Sequence, residues 1–206
     1  MARRLAHEIK NPLTPIQLMV QELQARYTGD DPRYRKLLDD AREIVSEEIA
    51  GLRRQVDAFT AFAKLPRVEP RPLDLAEVAL DVARDGVLTV DAPAEPVTVR
   101  GDRLLLRRAL ANLVDNAREA GARTVRVTWR RDGDRALLFL DDDGPGVDAE
   151  VRDRLFDPYV TSKPHGTGLG LAIVKKTVLE PGGHVELTAE PSPLGGARFE
   201  VSLPLA

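Results

Sequence analysis

Four short stretches carry residue types that chemistry could use. In "LANLVDNAREA", Asn112 and Asn116 are four apart and share one helix face. Amide oxygens so placed can ligate Mg²⁺, although lone asparagines on a helix are ordinarily polar surface. In "DDDGPGV", the preceding run "ALLFL" delivers Asp142 to a strand end, and Gly144 and Gly146 let the backbone turn and approach a ligand. A carboxylate there can accept a hydrogen bond from an amino-purine; alone, the stretch also reads as an ordinary turn. In "HGTGLGLAIVKK", Gly166, Gly168 and Gly170 lead into a helix and bare its first amides for phosphate oxygens. The spacing matches neither the dinucleotide fingerprint nor the P-loop, and a glycine-rich connection is the plain alternative. In "LAHEIKNPLTPI", a neutral His7 imidazole is a workable nucleophile, since its unperturbed pKa is ~6.5. Glu8 can fix the tautomer through Nδ1–H and accept its proton. Asn11, four residues on, lies on the same face.

The elements that must position these residues fall into two halves. Apolar residues at Leu5, Ile9, Leu13, Ile16, Val20, Leu23 and Tyr27 step by three and four, a near-heptad stripe. His7 lies about 200° from both Leu5 and Ile9 and so faces away from it. Pro12 and Pro15 remove the amides that would bond the Glu8 and Asn11 carbonyls, so a bend is expected just past His7. "TGDDP" breaks the pattern with an Asp cap and Pro32 at the first turn of a second helix. That helix carries Leu38, Val45, Leu52 and Phe59, with Ile49, Val56 and Ala63 offset from them. Two such helices form an antiparallel hairpin that buries too little alone, so a homodimeric four-helix bundle is expected. A long-helix spacer is the alternative that the pattern leaves open.

"KLPRVEPRP" reads as a linker, which gives a helical hairpin over 1–66, a Pro-rich linker over 67–72 and a second domain over 73–206. In the second domain, short helical and strand patterns alternate. A long helix should close at Gly121, and one hairpin should turn at Asp132-Gly133. Helices on one face of a mixed sheet predict an α/β sandwich. Residues 143–167 lack regular patterning, as functional lids do.

Composition narrows the chemistry. The 206 residues are 43% hydrophobic and 31% charged, with a net charge of −3 from 33 acids and 30 Lys+Arg. No basic excess exists to neutralise nucleic-acid phosphates. The absence of cysteine excludes disulfides and thiolate chemistry, and three histidines argue against a His-rich metal site. No apolar run reaches the ~18 residues of a membrane span. The chain as given is expected to be cytoplasmic.

In order and spacing, "LANLVDNAREA", "DDDGPGV" and "HGTGLGLAIVKK" resemble the N, G1 and G2 boxes of histidine kinases, in the ATPase superfamily shared with gyrase, Hsp90 and MutL. "LFDPYVTSKPHG" resembles the F box inside the lid, and "GGARFEVSLP" the closing strand. The resemblance covers roughly residues 70 to 206 and implies a Bergerat ATP-binding fold. It implies ATP and Mg²⁺ as ligands, with Asp142 on the adenine amino group and Asn116 on the metal. Asn112 and Lys163 would lie near the phosphates. So would the loop of Gly166, Thr167, Gly168, Leu169 and Gly170, and Gly144 and Gly146 would also bind ATP. ATP-hydrolysing relatives carry a water-activating Glu four residues before the metal-binding Asn. Here Asn112 stands there, and an amide takes no proton at neutral pH, so the pocket is expected to hold ATP without efficient hydrolysis. Many sensor kinases carry a basic residue three after the metal-binding Asn, here Asn116, where this chain has Glu119.

"HEIKNPL" resembles the H box of dimerisation and phosphoacceptor hairpins, and "RRLAHEIKNPLTPIQL" looks most like NtrY-like nitrogen-regulation sensor kinases. The resemblance implies that His7 is phosphorylated, with Glu8 as its general base. It also implies that Asn11 orients the water that dephosphorylates the partner response regulator. The leading expectation is a sensor histidine kinase catalytic core, homodimeric through its hairpin and passing phosphate to a receiver domain. It would be the cytosolic part of a membrane-anchored sensor whose sensor region is absent from this chain. The rivals are a nucleotide-gated scaffold without phosphoryl transfer and a gyrase-type ATPase.

Overall fold

Two units, Met1–Leu65 and Pro66–Ala206, divide the chain. The computed structural model describes residues 2–63, 69–83, 88–93, 95–161, 163 and 166–206; the side chains of residues 2–12, 58, 61 and 62 lie outside that description.

In the first unit, α1 (Ala2–Arg26) and α2 (Pro32–Ala63) form an antiparallel hairpin. α1 runs through both Pro12 and Pro15 without a break. The Asp31 carboxylate accepts from the Arg33 amide at 2.9 Å, and Pro32 takes the first helical position, where no amide is needed. Leu13, Ile49 and Val56 are buried in the seam, with Val20, Tyr27, Leu38 and Val45 half-buried beside them. Polar ties from Gln24 to Asp39 and from Arg53 to Thr14 flank the seam. The single stripe read along α1 divides in two. Leu13, Val20 and Tyr27 turn toward α2, whereas Ile16 is 49% exposed and Leu23 58% exposed. Met19 on α1 and Leu37, Ile44 and Leu52 on α2 are exposed as well. A real helix turns 3.6 residues per cycle, so steps of three and four spread the stripe over two edges, and one partner helix covers only one of them.

The second unit is a mixed sheet with helices on one face. Its elements run β1 (Arg71–Asp74), α3 (Leu75–Val82), β2 (Leu88–Asp91), β3 (Thr98–Gly101), α4 (Arg103–Glu119), β4 (Val125–Asp132) and β5 (Arg135–Asp142). They continue with α5 (Ala149–Arg152), α6 (Gly170–Leu179), β6 (His184–Leu187) and β7 (Arg198–Pro204). Five strands are ordered β2-β4-β5-β7-β6, and β1 pairs with β3 in a separate ribbon. β2 and β4 are parallel and the other pairs antiparallel. Arg71 and Pro72, the end of the Pro-rich stretch, form the first half of β1.

Alternation along the strands sends Val125, Val127, Leu138, Leu140, Val201 and Leu203 inward, where they join Leu106, Leu110 and Leu113 of α4 and Val174 and Val178 of α6. Asp102 caps α4 by accepting from the Leu104 and Leu105 amides. α4 ends with the Gly121 amide bonded to the Arg118 carbonyl and the Ala122 amide to the Ala117 carbonyl, Gly121 taking φ +100°. The β4–β5 turn sits one residue later than the sequence suggests. Asp132 pairs with Arg135, which leaves Gly133-Asp134 as the two-residue loop, with Gly133 at φ +60° in the first central position.

Candidate functional site

Asp142 ends β5 with its backbone held by β7's approach: its amide donates to the Ala197 carbonyl at 3.1 Å, and the Gly196 amide donates to its own carbonyl at 2.9 Å. The side chain is 4% exposed. Its Oδ1 accepts from the Gly144 amide at 2.9 Å and the Ala197 amide at 3.0 Å, so a buried carboxylate is oriented by two fixed donors. Gly196 makes this possible. A Cβ there would collide with Asp142 Oδ1 and stand 2.6 Å from the Asp142 carbonyl oxygen and the Gly144 nitrogen. Among the described residues no donor reaches Asp142 Oδ2, and Asp142 lines a cavity of about 670 Å³.

The neighbouring carboxylates hold the strands that carry Asp142. Asp141 Oδ1 takes Arg198 Nε at 2.7 Å and Oδ2 takes Nη2 at 3.0 Å, a forked pair that ties β5 to β7. The Asp141 hydrogen bond raises the Arg198 pKa above its ordinary value. Asp143 Oδ1 accepts from the Thr124 amide at 2.9 Å and the Arg123 amide at 2.7 Å. The Thr124 bond, seconded by Arg123, holds the Asp143 carboxyl below the usual range against a smaller opposing effect of desolvation.

The rest of the cavity is built from α4, α6 and the segment between them. Asn112, Asn116, Gly146, Lys163, Gly166, Thr167, Gly168 and Gly170 all line it. Gly144 and Leu169 do not: Gly144 serves through its amide on Asp142, and Leu169 is buried as the residue before α6. The N-cap residue Leu169 makes no side-chain cap, and among the described residues no side chain bonds the first amides of α6 beside the cavity. The Asn112 amide donates to the Gly170 carbonyl at 3.2 Å and locks that helix start to α4. Asn116 Oδ1 accepts from Lys163 Nζ at 3.3 Å, and Glu119 Oε2 takes the same ammonium at 2.5 Å.

Apolar residues to which the sequence analysis gave no role complete the walls. Val147, Val151, Leu155, Leu171 and Phe199 supply apolar surface, and Phe199 meets Phe156 edge-on at 6.3 Å. Tyr159 stands at φ +69°, rare for an aromatic residue, and its amide donates to the Gly168 carbonyl at 2.9 Å. A Cβ on Gly168 would lie 2.5 Å from the Tyr159 carbonyl carbon, so the two ends of the 159–168 loop meet backbone to backbone.

The cavity thus has one buried carboxylate beside apolar walls, and a second region of amides, helix N–H groups and an ammonium. Its volume lies within the roughly 300–1,000 Å³ of small-ligand sites. An amino-bearing planar base joined to a polyphosphate fits this division. No group of three or more His, Cys, Asp or Glu among the described residues could hold a metal ion. Asn116 Oδ1 is an oxygen that could serve a cation, and it accepts from one here, the Lys163 ammonium. His7, Glu8 and Asn11 lie on α1, and their side chains are outside the described residues.

Residues 101–206 match the family described as "Histidine kinase-, DNA gyrase B-, and HSP90-like ATPase", and residues 1–67 match "His Kinase A (phospho-acceptor) domain". Nitrogen regulation protein NtrY of Azorhizobium caulinodans is 36% identical over 209 residues, covering 94% of this chain and 27% of that protein. Sensory histidine kinase/phosphatase NtrB of Rhodobacter capsulatus is 35% identical over 232 residues, covering 100% of this chain and 62% of that protein. Among solved structures, full-length ShkA in complex with AMPPNP superposes over 100% of this chain and 45% of that one, with a TM-score of 0.67 and 26% identity. The ATP-binding domain of PrrB from Mycobacterium tuberculosis covers 67% of this chain and 98% of that one, with a TM-score of 0.56 and 29% identity. The chain spans between 27% and 62% of the length of the two relatives compared.

Proposed function

Since the chain belongs to the histidine kinase-, DNA gyrase B- and HSP90-like ATPase family, we propose that it is a sensor histidine kinase catalytic core that transfers the ATP γ-phosphoryl to His7. The observation that carries this reading is Asn112. Where ATP-hydrolysing relatives place a water-activating Glu, this cavity has an amide, and that amide is bonded to the Gly170 carbonyl. Nothing at that position can deprotonate water, so the acceptor comes from outside the cavity, and the phosphoacceptor-type hairpin supplies one.

In the proposed reaction Asp142 Oδ2 accepts from the adenine amino group, and the α6 amides and Lys163 hold the phosphates. Mg²⁺ held on Asn116 Oδ1 and phosphate oxygens would neutralise charge. His7 Nε2 attacks the γ-phosphorus, the bond to the β-phosphate oxygen breaks, and ADP leaves. Glu8 takes the proton from Nδ1. A receiver-domain aspartate then attacks the phosphorus, the P–Nε2 bond breaks, and Glu8 returns its proton to Nδ1, which restores neutral His7. Asn11 orients water for the opposite reaction, hydrolysis of the phosphorylated regulator. The exposed apolar edges of α1 and α2 support a second copy as the hairpin's partner. No helix among the described residues is long and apolar enough to cross a membrane. The likeness to NtrY supports reading the chain as the cytosolic part of a membrane-anchored sensor.

The test is labelling with γ-³²P-ATP. Wild type should acquire an acid-labile, base-stable phosphate that His7→Gln lacks. Asn11→Ala should still label while losing most phosphatase activity toward its regulator, and Glu8→Ala should label ~10²–10⁴-fold more slowly. Sustained ATP turnover without phosphoenzyme would sink the proposal in favour of a gyrase-type ATPase. Leu52→Asp should convert the dimer to monomer in sedimentation, because it buries an unpaired charge in the bundle.

A further inference from the structure

Lys163 is held from two sides. Its backbone sits in a tight turn: its amide donates to Thr161 Oγ1 at 3.1 Å, and the Gly166 amide donates to its carbonyl at 3.2 Å. A Cβ on Gly166 would collide with Thr161 Oγ1 and lie 3.0 Å from Lys163 Cβ, so Gly166 packs closely against both residues. The ammonium reaches across to the last turn of α4, where Glu119 Oε2 and Asn116 Oδ1 share it. Asn116 and Glu119 are three apart and so on one face. They also lie at the C-terminal end of α4, where the helix dipole favours a cation.

We propose that Glu119 is a positioning residue for Lys163, clamping the loop lysine against α4, so that a nucleoside triphosphate must displace Glu119 to recruit that ammonium. The proposal rests on the nucleotide reading of the cavity. Two consequences distinguish it from a passive surface pair. The Asn116 oxygen cannot serve the ammonium and a divalent cation together without strong repulsion between them, so Lys163 must leave Asn116 as the cation arrives. Triphosphate binding includes breaking the Lys163–Glu119 pair, and Glu119 therefore sets an affinity lower than the cavity alone would give. A diphosphate, which offers the lysine less charge, should be affected less.

The experiment is a double-mutant cycle on the full chain with Glu119→Gln, Lys163→Met and both, at low ionic strength. In the nucleotide-free protein, each single change should raise hydrogen exchange of residues 159–168, and the double variant should raise it no further. By calorimetry, Glu119→Gln should tighten Mg·ATP by about two- to five-fold, as expected for a part-exposed pair, and ADP by less. In the Lys163→Met background the same change should leave ATP affinity unaltered. Equal tightening in that background would mean that Glu119 acts on the phosphates through its bulk charge, and the positioning role would be overturned. Unchanged loop exchange in Glu119→Gln would overturn it too. Failure of wild type to bind ATP would remove the nucleotide reading instead, while the exchange measurement still reports on the clamp.

Discussion

Asp142 and Lys163 face the same cavity and are held in opposite ways. Asp142 is 4% exposed, on a strand paired along its length, and its Oδ1 is held by two backbone amides. Lys163 is on a loop, its side chain is 31% exposed, and the described partners of its ammonium are two side chains of α4, one of them 60% exposed. The carboxylate can move only by giving up two backbone amides, whereas the lysine can move by exchanging one side-chain acceptor for another. Under the nucleotide reading proposed above, the base end is held by the fold itself, and the charge-neutralising end depends on an exchange of side-chain partners. Regions with few buried contacts open at low free-energy cost, which is what a closing loop needs.

That contrast can be broken or sharpened in several ways. The largest effect should come from Asp142→Ala, which removes the acceptor and also orphans the Gly144 and Ala197 amides. ATP affinity should fall about 10²-fold or more, and GTP, whose amino group is elsewhere, far less. Equal losses by calorimetry would remove Asp142 from base recognition. Arg198→Ala should cost about 2–3 kcal/mol in denaturant unfolding, below the ~3–5 of a fully buried pair because Arg198 is partly exposed. It leaves Asp141 buried without its partner. Gly196→Ala should cost about 1–3 kcal/mol and weaken ATP binding, because the new Cβ displaces the Asp142 carboxylate.

Two smaller effects test the rigidity of each end. Saturating ATP should protect residues 148–168 from hydrogen exchange and leave 136–142 unchanged. Protection at both ends would mean that the carboxylate end is also ordered by the ligand. Asp143 has a folded-state pKa below its unfolded value, so its stabilisation is present above the unfolded pKa and is lost as pH falls through the folded one. Asp143→Asn keeps the acceptor for the Arg123 and Thr124 amides but removes the charge. The melting temperature of wild type should therefore fall more steeply than the variant's between about pH 5 and pH 2. Parallel slopes would show that Asp143 is not linked to folding.

Local rules were legible without coordinates. Asp31 and Pro32 start α2, Gly121 closes α4, and alternation in "TVRVTWR" and "ALLFLDD" specifies two strands with one buried face, because caps and period-two patterns depend on near neighbours. The sequence order of the Asn pair, the D-x-G-x-G turn and the glycine loop was enough to propose a shared nucleotide site. Other features depend on residues far apart in the chain. Asn112 binds the Gly170 carbonyl 58 positions away, Ala197 supplies an amide to Asp142 55 positions away, and Lys163 meets Glu119 44 positions away. Gly196 looked like one glycine in a closing stretch until the Asp142 side chain stood where its Cβ would be. The positive φ of Tyr159 has no residue-type signal at all, since an aromatic side chain disfavours it. The stripe on α1 was visible as a stripe, but its division into a covered and an exposed edge required the position of α2. Periodicity, capping and turn chemistry are properties of adjacent residues and so belong to the sequence. Which polar atoms meet across α4, α6 and the sheet was decided by the packing of a core that only the folded chain assembles.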